Sequence, residues 1–194
     1  MTDTKLLFFS GSIRKGSLNQ KLATYVHRLA VEKGYAADML SLADYPLPLY
    51  NADLQNEQGF PEDLKRLKAK IEAYQGVFIA SPEYNASVPA LLKNTIDWLS
   101  RMKEDDGAPL QLFRGRVFAL GSASGSLHGG VRGLITLRQV LAVGLGALVL
   151  GDQFPISRAN EAFDDDGNAK DQIVHKTLAG IIDKLAWTAE RLRS

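Results

Sequence analysis

A chain of 194 residues with 45% hydrophobic and 23% charged side chains carries enough apolar material for one globular domain with a real core, which excludes a disordered, collagen-like or linker-type chain. With 23 Lys and Arg against 22 Asp and Glu the formal charge is +1, and no long basic run stands out, so no nucleic-acid partner is expected. Cysteine is absent, which removes disulfides, thiolate metal sites, thiol nucleophiles and a cysteine-tethered cofactor together.

The first five residues are polar, and the apolar run at 6–9 is too short for a signal segment or a membrane span, so a soluble, cytoplasmic protein with no membrane partner is expected. Residues 5–10 (K-L-L-F-F-S) predict a buried first strand. Residues 17–33 predict a helix with Leu18, Leu22, Val26 and Leu29 on one face, closed by Gly34. A weaker second strand is expected at 37–42, and 45–60, with Pro46, Pro48 and Gly59, reads as a long loop. Pro61 opens a helix that runs through Leu64, Leu67 and Ile71 to about Tyr74.

Residues 76–81 (G-V-F-I-A-S) are apolar almost throughout, as a strand buried on both faces requires. A helix at 89–101 directs Leu92, Ile96 and Leu99 inward, and a fourth strand is expected at 115–120. After a Gly/Ser segment come a helix at 131–143, a short fifth strand at 147–150 and a terminal helix at 170–193 with Leu178, Ile182, Leu185 and Leu192. Five strands alternating with five helices predict a parallel α/β sheet with helices on both faces. The acidic stretch 164–167 is a solvated turn, since the sixth and twelfth positions of a calcium loop counted from Asp164 hold Ala169 and His175.

In an open parallel sheet ligands bind beyond the carboxyl ends of the strands, and three loops there are unusual. The first, 10–19 (S-G-S-I-R-K-G-S-L-N), is dense in hydroxyls and amides, has two glycines and two cations, and opens a helix. Converging N–H groups, a helix N-terminus, Ser12, Ser17 and Asn19 as donors and a bidentate Arg14 suit a phosphate. The bland alternative, an ordinary βα turn with Ser17 as cap, leaves Ser12, Arg14 and Asn19 without a task. Ser17 occupies the Lys position of a P-loop, and Ile13 stands where the dinucleotide fingerprint needs glycine, which leaves a terminal monophosphate.

The second loop, 81–89 (S-P-E-Y-N-A-S-V-P), places Tyr84 and Asn85 at a strand tip beside Glu83, suited to a flat heteroaromatic with hydrogen-bonding edges; a proline-bounded turn whose tyrosine packs on a neighbour is the alternative. The third, 121–130 (G-S-A-S-G-S-L-H-G-G), leaves backbone open to a planar ligand and is no hydrolase elbow, because Ala123 stands at its centre. Of three histidines only His128 lies where ligands go, as a loop donor or bystander. No metal-ligand spacing occurs, so no metal is expected.

These loops together, with L-K-N-T-I-D-W-L-S-R at 92–101, resemble the NADPH-dependent FMN reductase family, the flavodoxin-like group that includes quinone, azo-dye and chromate reductases. The likeness covers essentially the whole chain, and the P-E-Y-N block running into K-N-x-I-D-W is its most specific part. The resemblance implies a flavodoxin-like doubly wound sheet of order 2-1-3-4-5 with non-covalent FMN at its carboxyl edge and NADPH or NADH as co-substrate. Ser12, Arg14, Ser17, Leu18 and Asn19 would hold the FMN phosphate. Pro82, Glu83, Tyr84 and Asn85 would line the isoalloxazine and ribityl chain, and Ser122, Ser124 and Gly125 the pyrimidine side.

It implies a ping-pong enzyme that passes hydride from NAD(P)H through FMN to a small-molecule acceptor such as a quinone, azo compound, metal oxyanion or free flavin, with no side chain required as acid or base. A homodimer or homotetramer is expected, with Trp98 and the charged stretch 101–116 bordering the active edge and the loop 45–60 completing a neighbour's cavity. Ala90 and Ser124, where many relatives carry glycine, bear on the shape of the cavity above the ring. A flavodoxin-type electron carrier is the alternative, though such carriers are usually strongly acidic. A flavin-free receiver domain would need acids after the first strand, where Ser10-Gly11-Ser12 offers none.

Overall fold

The computed structural model describes residues 4–102 and 110–192. Five parallel strands, β1 (Lys5–Ser10), β2 (Ala36–Leu40), β3 (Gly76–Ala80), β4 (Val117–Ala123) and β5 (Leu148–Ile156), form one sheet of order 2-1-3-4-5. This is the expected order, with the switch point between β1 and β3. Every residue of β3 is buried, because helices cover both sides.

Strand alternation sorts the core into two layers. Leu6, Phe8, Phe78, Ala80, Val117 and Ala119 face α1 (Leu18–Glu32) and, at the chain end, α7 (Gln172–Leu192). Leu7, Phe9, Val77, Ile79, Phe118 and Leu120 face the other layer, built of α3 (Glu62–Glu72), α4 (Ala90–Arg101) and α6 (Val131–Arg138), with the short helices α2 (Ala52–Gln58) and α5 (Gln111–Arg114) beside them. Ser10 pairs in register with Ala80, and Ala80 with Gly121. The three unusual loops therefore leave the sheet side by side.

Several boundaries differ from those the sequence predicts, each for a physical reason. The segment 45–60 is not all loop, for it holds α2, whose cap Asn51 accepts from the Asp53 N–H at 2.9 Å. No residue of α2 is buried, so it has no apolar periodicity to read. The stretch before it is tied to α4, since Asn94 Nδ2 and Trp98 Nε1 both donate to the Pro48 carbonyl, at 2.9 and 2.8 Å. Trp98, expected to border the active edge, is a fully buried core residue of α4; of the charged stretch 101–116, the segment 103–109 lies outside the described residues.

β4 starts at Val117 and runs on through Gly121-Ser122-Ala123, and β5 runs to Ile156. Phe118 pairs with Val149 but Leu120 with Gln153, a bulge that lets the strand resume beyond the polar Gly151-Asp152. The predicted helix 131–143 is α-helical only to Arg138 and widens to a π-helix over 139–144. The terminal helix begins two residues later than predicted, with Asp171 Oδ1 accepting the Ile173 N–H at 2.7 Å, and residue 193 is outside the description. Among the described residues no helix is long and apolar enough to cross a membrane.

Candidate active site

The first loop is coiled by its own hydroxyls. Ser10 Oγ accepts the Ser12 N–H at 3.1 Å and Ser12 Oγ accepts the Arg14 N–H at 3.3 Å, so each serine turns the chain two residues on. Ser17 Oγ then caps α1 by accepting the Gln20 N–H at 3.4 Å. The N–H groups of Leu18 and Asn19, in the first helical turn, have no carbonyl of their own helix to bind.

Residues 10–19 include no acid. Arg14 and Lys15 form no ion pair among the described residues. Free N–H groups, hydroxyls and two unpaired cations form a donor set that fits a phosphate dianion. Gly11 packs closely on α4: a Cβ there would stand 3.0 Å from the Leu92 side chain and 3.4 Å from Pro82, so Leu92 would have to give by a few tenths of an ångström.

Asn19 is buried and its amide is occupied. Oδ1 accepts the Ala123 N–H and Nδ2 donates to the Ala123 carbonyl, both at 2.9 Å. It is a two-bond clamp between the start of α1 and the tip of β4, and one N–H of the amide remains for a ligand.

The second loop is a tight hairpin. Tyr84 and Ser87 exchange two backbone hydrogen bonds of 3.0 Å, and the central Asn85 and Ala86 have φ of 50° and 61°, the left-handed pair that a two-residue turn of this kind requires. Asn tolerates that conformation, which explains Asn85 by backbone geometry, and its side chain does not line the cleft. Tyr84 stands 52% exposed at the tip.

Glu83 is the joint to the third loop. Oε1 accepts from Arg132 Nε at 3.0 Å and Nη2 at 2.5 Å, and Oε2 accepts the Gly133 N–H at 2.9 Å. The Glu83 side chain is only 8% exposed. Burial pushes its carboxyl up, but Arg132 and the Gly133 N–H together outweigh that and hold it below the ordinary range.

Ser122 is fully buried and its hydroxyl donates to the Gly129 carbonyl at 2.5 Å. The resemblance implies a place for it at the flavin pyrimidine; in the structure its hydroxyl holds the turn 124–130 from below, because the pleat directs it to the same face as Phe118 and Leu120. Gly129 and Gly130 have φ of 61° and 88°, and a Cβ on Gly129 would meet the Ile156 and Ser157 backbone at 2.9–3.0 Å. Ser124 is half-buried, accepts the Ser126 N–H at 3.2 Å and faces the cleft. His128 is exposed in this turn, while His27 reaches the Ala37 carbonyl at 3.2 Å and His175 Nδ1 lies 2.7 Å from the Tyr25 hydroxyl, two satisfied structural histidines.

The three loops enclose a cleft of about 220 Å³. Its first wall is Ser12, Arg14, Ser17, Leu18 and Asn19, its second Pro82, Glu83 and Tyr84, and its third Ser124 and Gly125. Ten of the twelve residues singled out from sequence meet there; Asn85 and Ser122 do not. Sequence reasoning missed Ala123, which lines the cleft, and Arg132 with Gly133, whose only signal is their place just after Gly129-Gly130 at a helix start. No group of three or more His, Cys, Asp or Glu able to hold a metal occurs among the described residues.

The sequence profile of the NADPH-dependent FMN reductase family matches residues 4–161. A quinone reductase of Escherichia coli strain K12 is 41% identical over 140 residues, 72% of this chain and 70% of its own. An NAD(P)H-dependent FMN reductase of Pseudomonas aeruginosa is 34% identical over 98% of both chains. The solved structure of the flavoenzyme NAD(P)H:(acceptor) oxidoreductase FerB of Paracoccus denitrificans is 31% identical and superposes with a TM-score of 0.78 over 97% of this chain and 98% of that one. With the sheet order, the phosphate-type turn and the hairpin all in place, the chain belongs to the NADPH-dependent FMN reductase family and is an oxidoreductase that uses FMN and NAD(P)H.

Proposed function

We propose that the protein is an NAD(P)H-dependent quinone reductase in which the 11–19 turn grips the FMN phosphate and the 82–87 hairpin receives the ring. The observation that carries this is Arg14, in the loop that leads into α1 and without an ion pair among the described residues, at one end of a cleft whose other wall is the half-exposed Tyr84. Arg14, the Ser12 and Ser17 hydroxyls and the first-turn N–H groups bind the phosphate, each charge-assisted contact contributing roughly 1.5–3 kcal/mol before ordering costs. Pro82 and Tyr84 flank the ring, while Ser124, Gly125 and the remaining N–H of Asn19 line the side nearest β4.

FMN, when bound there, would supply the hydride chemistry that links nicotinamide and acceptor. The chain's own task is placement. Glu83 is the one carboxylate of the cleft wall, and it is committed to Arg132 and Gly133, so no side chain is assigned as acid or base. Reacting atoms must come within about 3–3.5 Å, and a single open cleft admits donor and acceptor in turn, which is a ping-pong sequence.

Quinones are the leading acceptor class because relatives from several organisms carry that activity in their names, among them a 2-hydroxy-1,4-benzoquinone reductase of Burkholderia. Ile13, Tyr84 and Leu127 stand 52–68% exposed around the cleft, and we extend the proposal to a homo-oligomer that covers them. The test is steady-state oxidation of NADPH and of NADH by the FMN-loaded protein against a quinone series. Parallel double-reciprocal lines are expected; lines that intersect, or no quinone-dependent turnover, overturn the proposal.

A further inference from the structure

The third wall of the cleft is poor in available side-chain groups. The Ser122 hydroxyl is spent on the Gly129 carbonyl, and the Ser124 hydroxyl donates to Ser126 Oγ and accepts the Ser126 N–H, both at 3.2 Å. Gly125 brings backbone alone, and its N–H has no hydrogen-bond partner among the described residues.

The segment that follows β5 runs beside this wall. The Ser124 N–H donates to the Ile156 carbonyl at 3.0 Å, the Ala159 N–H to the Ser124 carbonyl at 2.9 Å and the Arg158 N–H to the Ser126 carbonyl at 3.2 Å. Arg158 has φ of 47°, a left-handed conformation unusual for a residue with a side chain, and the turn it makes leads the chain on to Asn160. A Cβ on Gly125 would stand 2.8 Å from Asn160 Nδ2. The backbone of Gly125 is not left-handed, so its conformation does not demand glycine; the Asn160 amide occupies the space that a side chain would take. Asn160 is exposed, and its amide makes no hydrogen bond among the described residues.

We infer that Asn160 is a further cofactor-binding residue, whose side-chain amide, beside the Gly125 N–H, meets the pyrimidine edge of the flavin ring. That edge alternates carbonyl oxygens with the ring N3–H, and a primary amide matches it with one acceptor and two donors: Nδ2 gives to a ring carbonyl and Oδ1 accepts from N3–H. The two ends of the cleft then divide by chemistry, a cation and hydroxyls around Arg14 for a dianion and neutral amides at Gly125 and Asn160 for a neutral imide. Asn160 takes the place at the pyrimidine that the buried Ser122 cannot fill. This inference rests on the proposed seat of FMN in the cleft.

Titration of the apoprotein with FMN and with 3-methyl-FMN, in which a methyl group replaces the N3 hydrogen, tests it through the binding constants. Wild type is expected to bind 3-methyl-FMN more weakly than FMN. Asn160→Ala should weaken FMN about three- to tenfold, as loss of one or two neutral hydrogen bonds implies, and leave 3-methyl-FMN within about 1.5-fold, because that ligand has already lost the contact. Gly125→Ala, whose Cβ drives the amide aside, should weaken FMN as well and add little to Asn160→Ala. If Asn160→Ala leaves FMN binding unchanged, or weakens both flavins by the same factor, the contact is refuted while the FMN reading stands. Failure of the wild type to bind either flavin refutes that reading and this inference with it.

Discussion

Removing the Asn19 amide should damage stability and flavin retention together. Asn19→Ala deletes two hydrogen bonds of 2.9 Å and leaves the N–H and carbonyl of Ala123 unpaired, with Ala123 itself in the core at 4% exposure. A buried unsatisfied backbone group costs about 1–3 kcal/mol, and water entering the space left by the amide recovers part of that, so the net loss is about 2–4 kcal/mol. For a chain of this size that lowers the thermal midpoint by about 4–16 °C.

Urea denaturation followed by circular dichroism is the assay, with the slope compared between variants so that a shifted midpoint at equal slope reports stability alone. Asn19→Asp is the informative companion. It keeps an acceptor for the Ala123 N–H but sets a carboxylate oxygen against the Ala123 carbonyl, and should be at least as unstable at pH 7. A loss below about 0.5 kcal/mol in Asn19→Ala would refute the claim that this clamp joins α1 to β4.

Three more outcomes follow from the same geometry. Arg14→Ala should weaken FMN by about 10- to 100-fold with little change in urea midpoint, because the Arg14 guanidinium has no ion-pair partner among the described residues; flavin titration reads the first and denaturation the second. Gly129→Ala puts a Cβ at 2.9–3.0 Å from backbone in a left-handed conformation and should cost about 2–4 kcal/mol in the same urea assay. Glu83 has a folded-state carboxyl below its ordinary 4.5, so its contribution is full above that value and is lost as pH falls through the depressed one. The stability gap between wild type and Glu83→Gln should therefore be widest near neutral pH and shrink in acid; a gap that grows on acidification contradicts the ion pair.

Much of this architecture could be read from local pattern, and what could not was non-local. Buried strands such as Gly76–Ala80 announce themselves by near-continuous apolar residues, and the Ser17 cap by its place before a periodic helix. α2 could not be seen because it buries nothing, and β5 was cut short because a bulge sets Gly151 and Asp152 between its two apolar halves.

Within the site, Tyr84 at a strand tip and Arg14 in an acid-free turn were legible as residue types in a sheet-edge loop. The Asn19–Ala123 clamp joins residues 104 apart, and the Glu83 bridge reaches Arg132 and Gly133 across 49 and 50, so neither leaves a trace in spacing. For Ser122 the resemblance implies a place in the cleft, whereas strand parity with Phe118 and Leu120 directs it inward. That parity is visible only with β4 running past Leu120 to Ala123, and the small residues Gly121-Ser122-Ala123 carry no strand signal of their own.

The most direct measurement is a crystal structure of the protein soaked with FMN. The account predicts the phosphate within hydrogen-bond distance of Arg14, Ser12 and Ser17, and the isoalloxazine against Pro82 and Tyr84. Flavin density elsewhere on the surface, or a phosphate lodged away from the 11–19 turn, would contradict it.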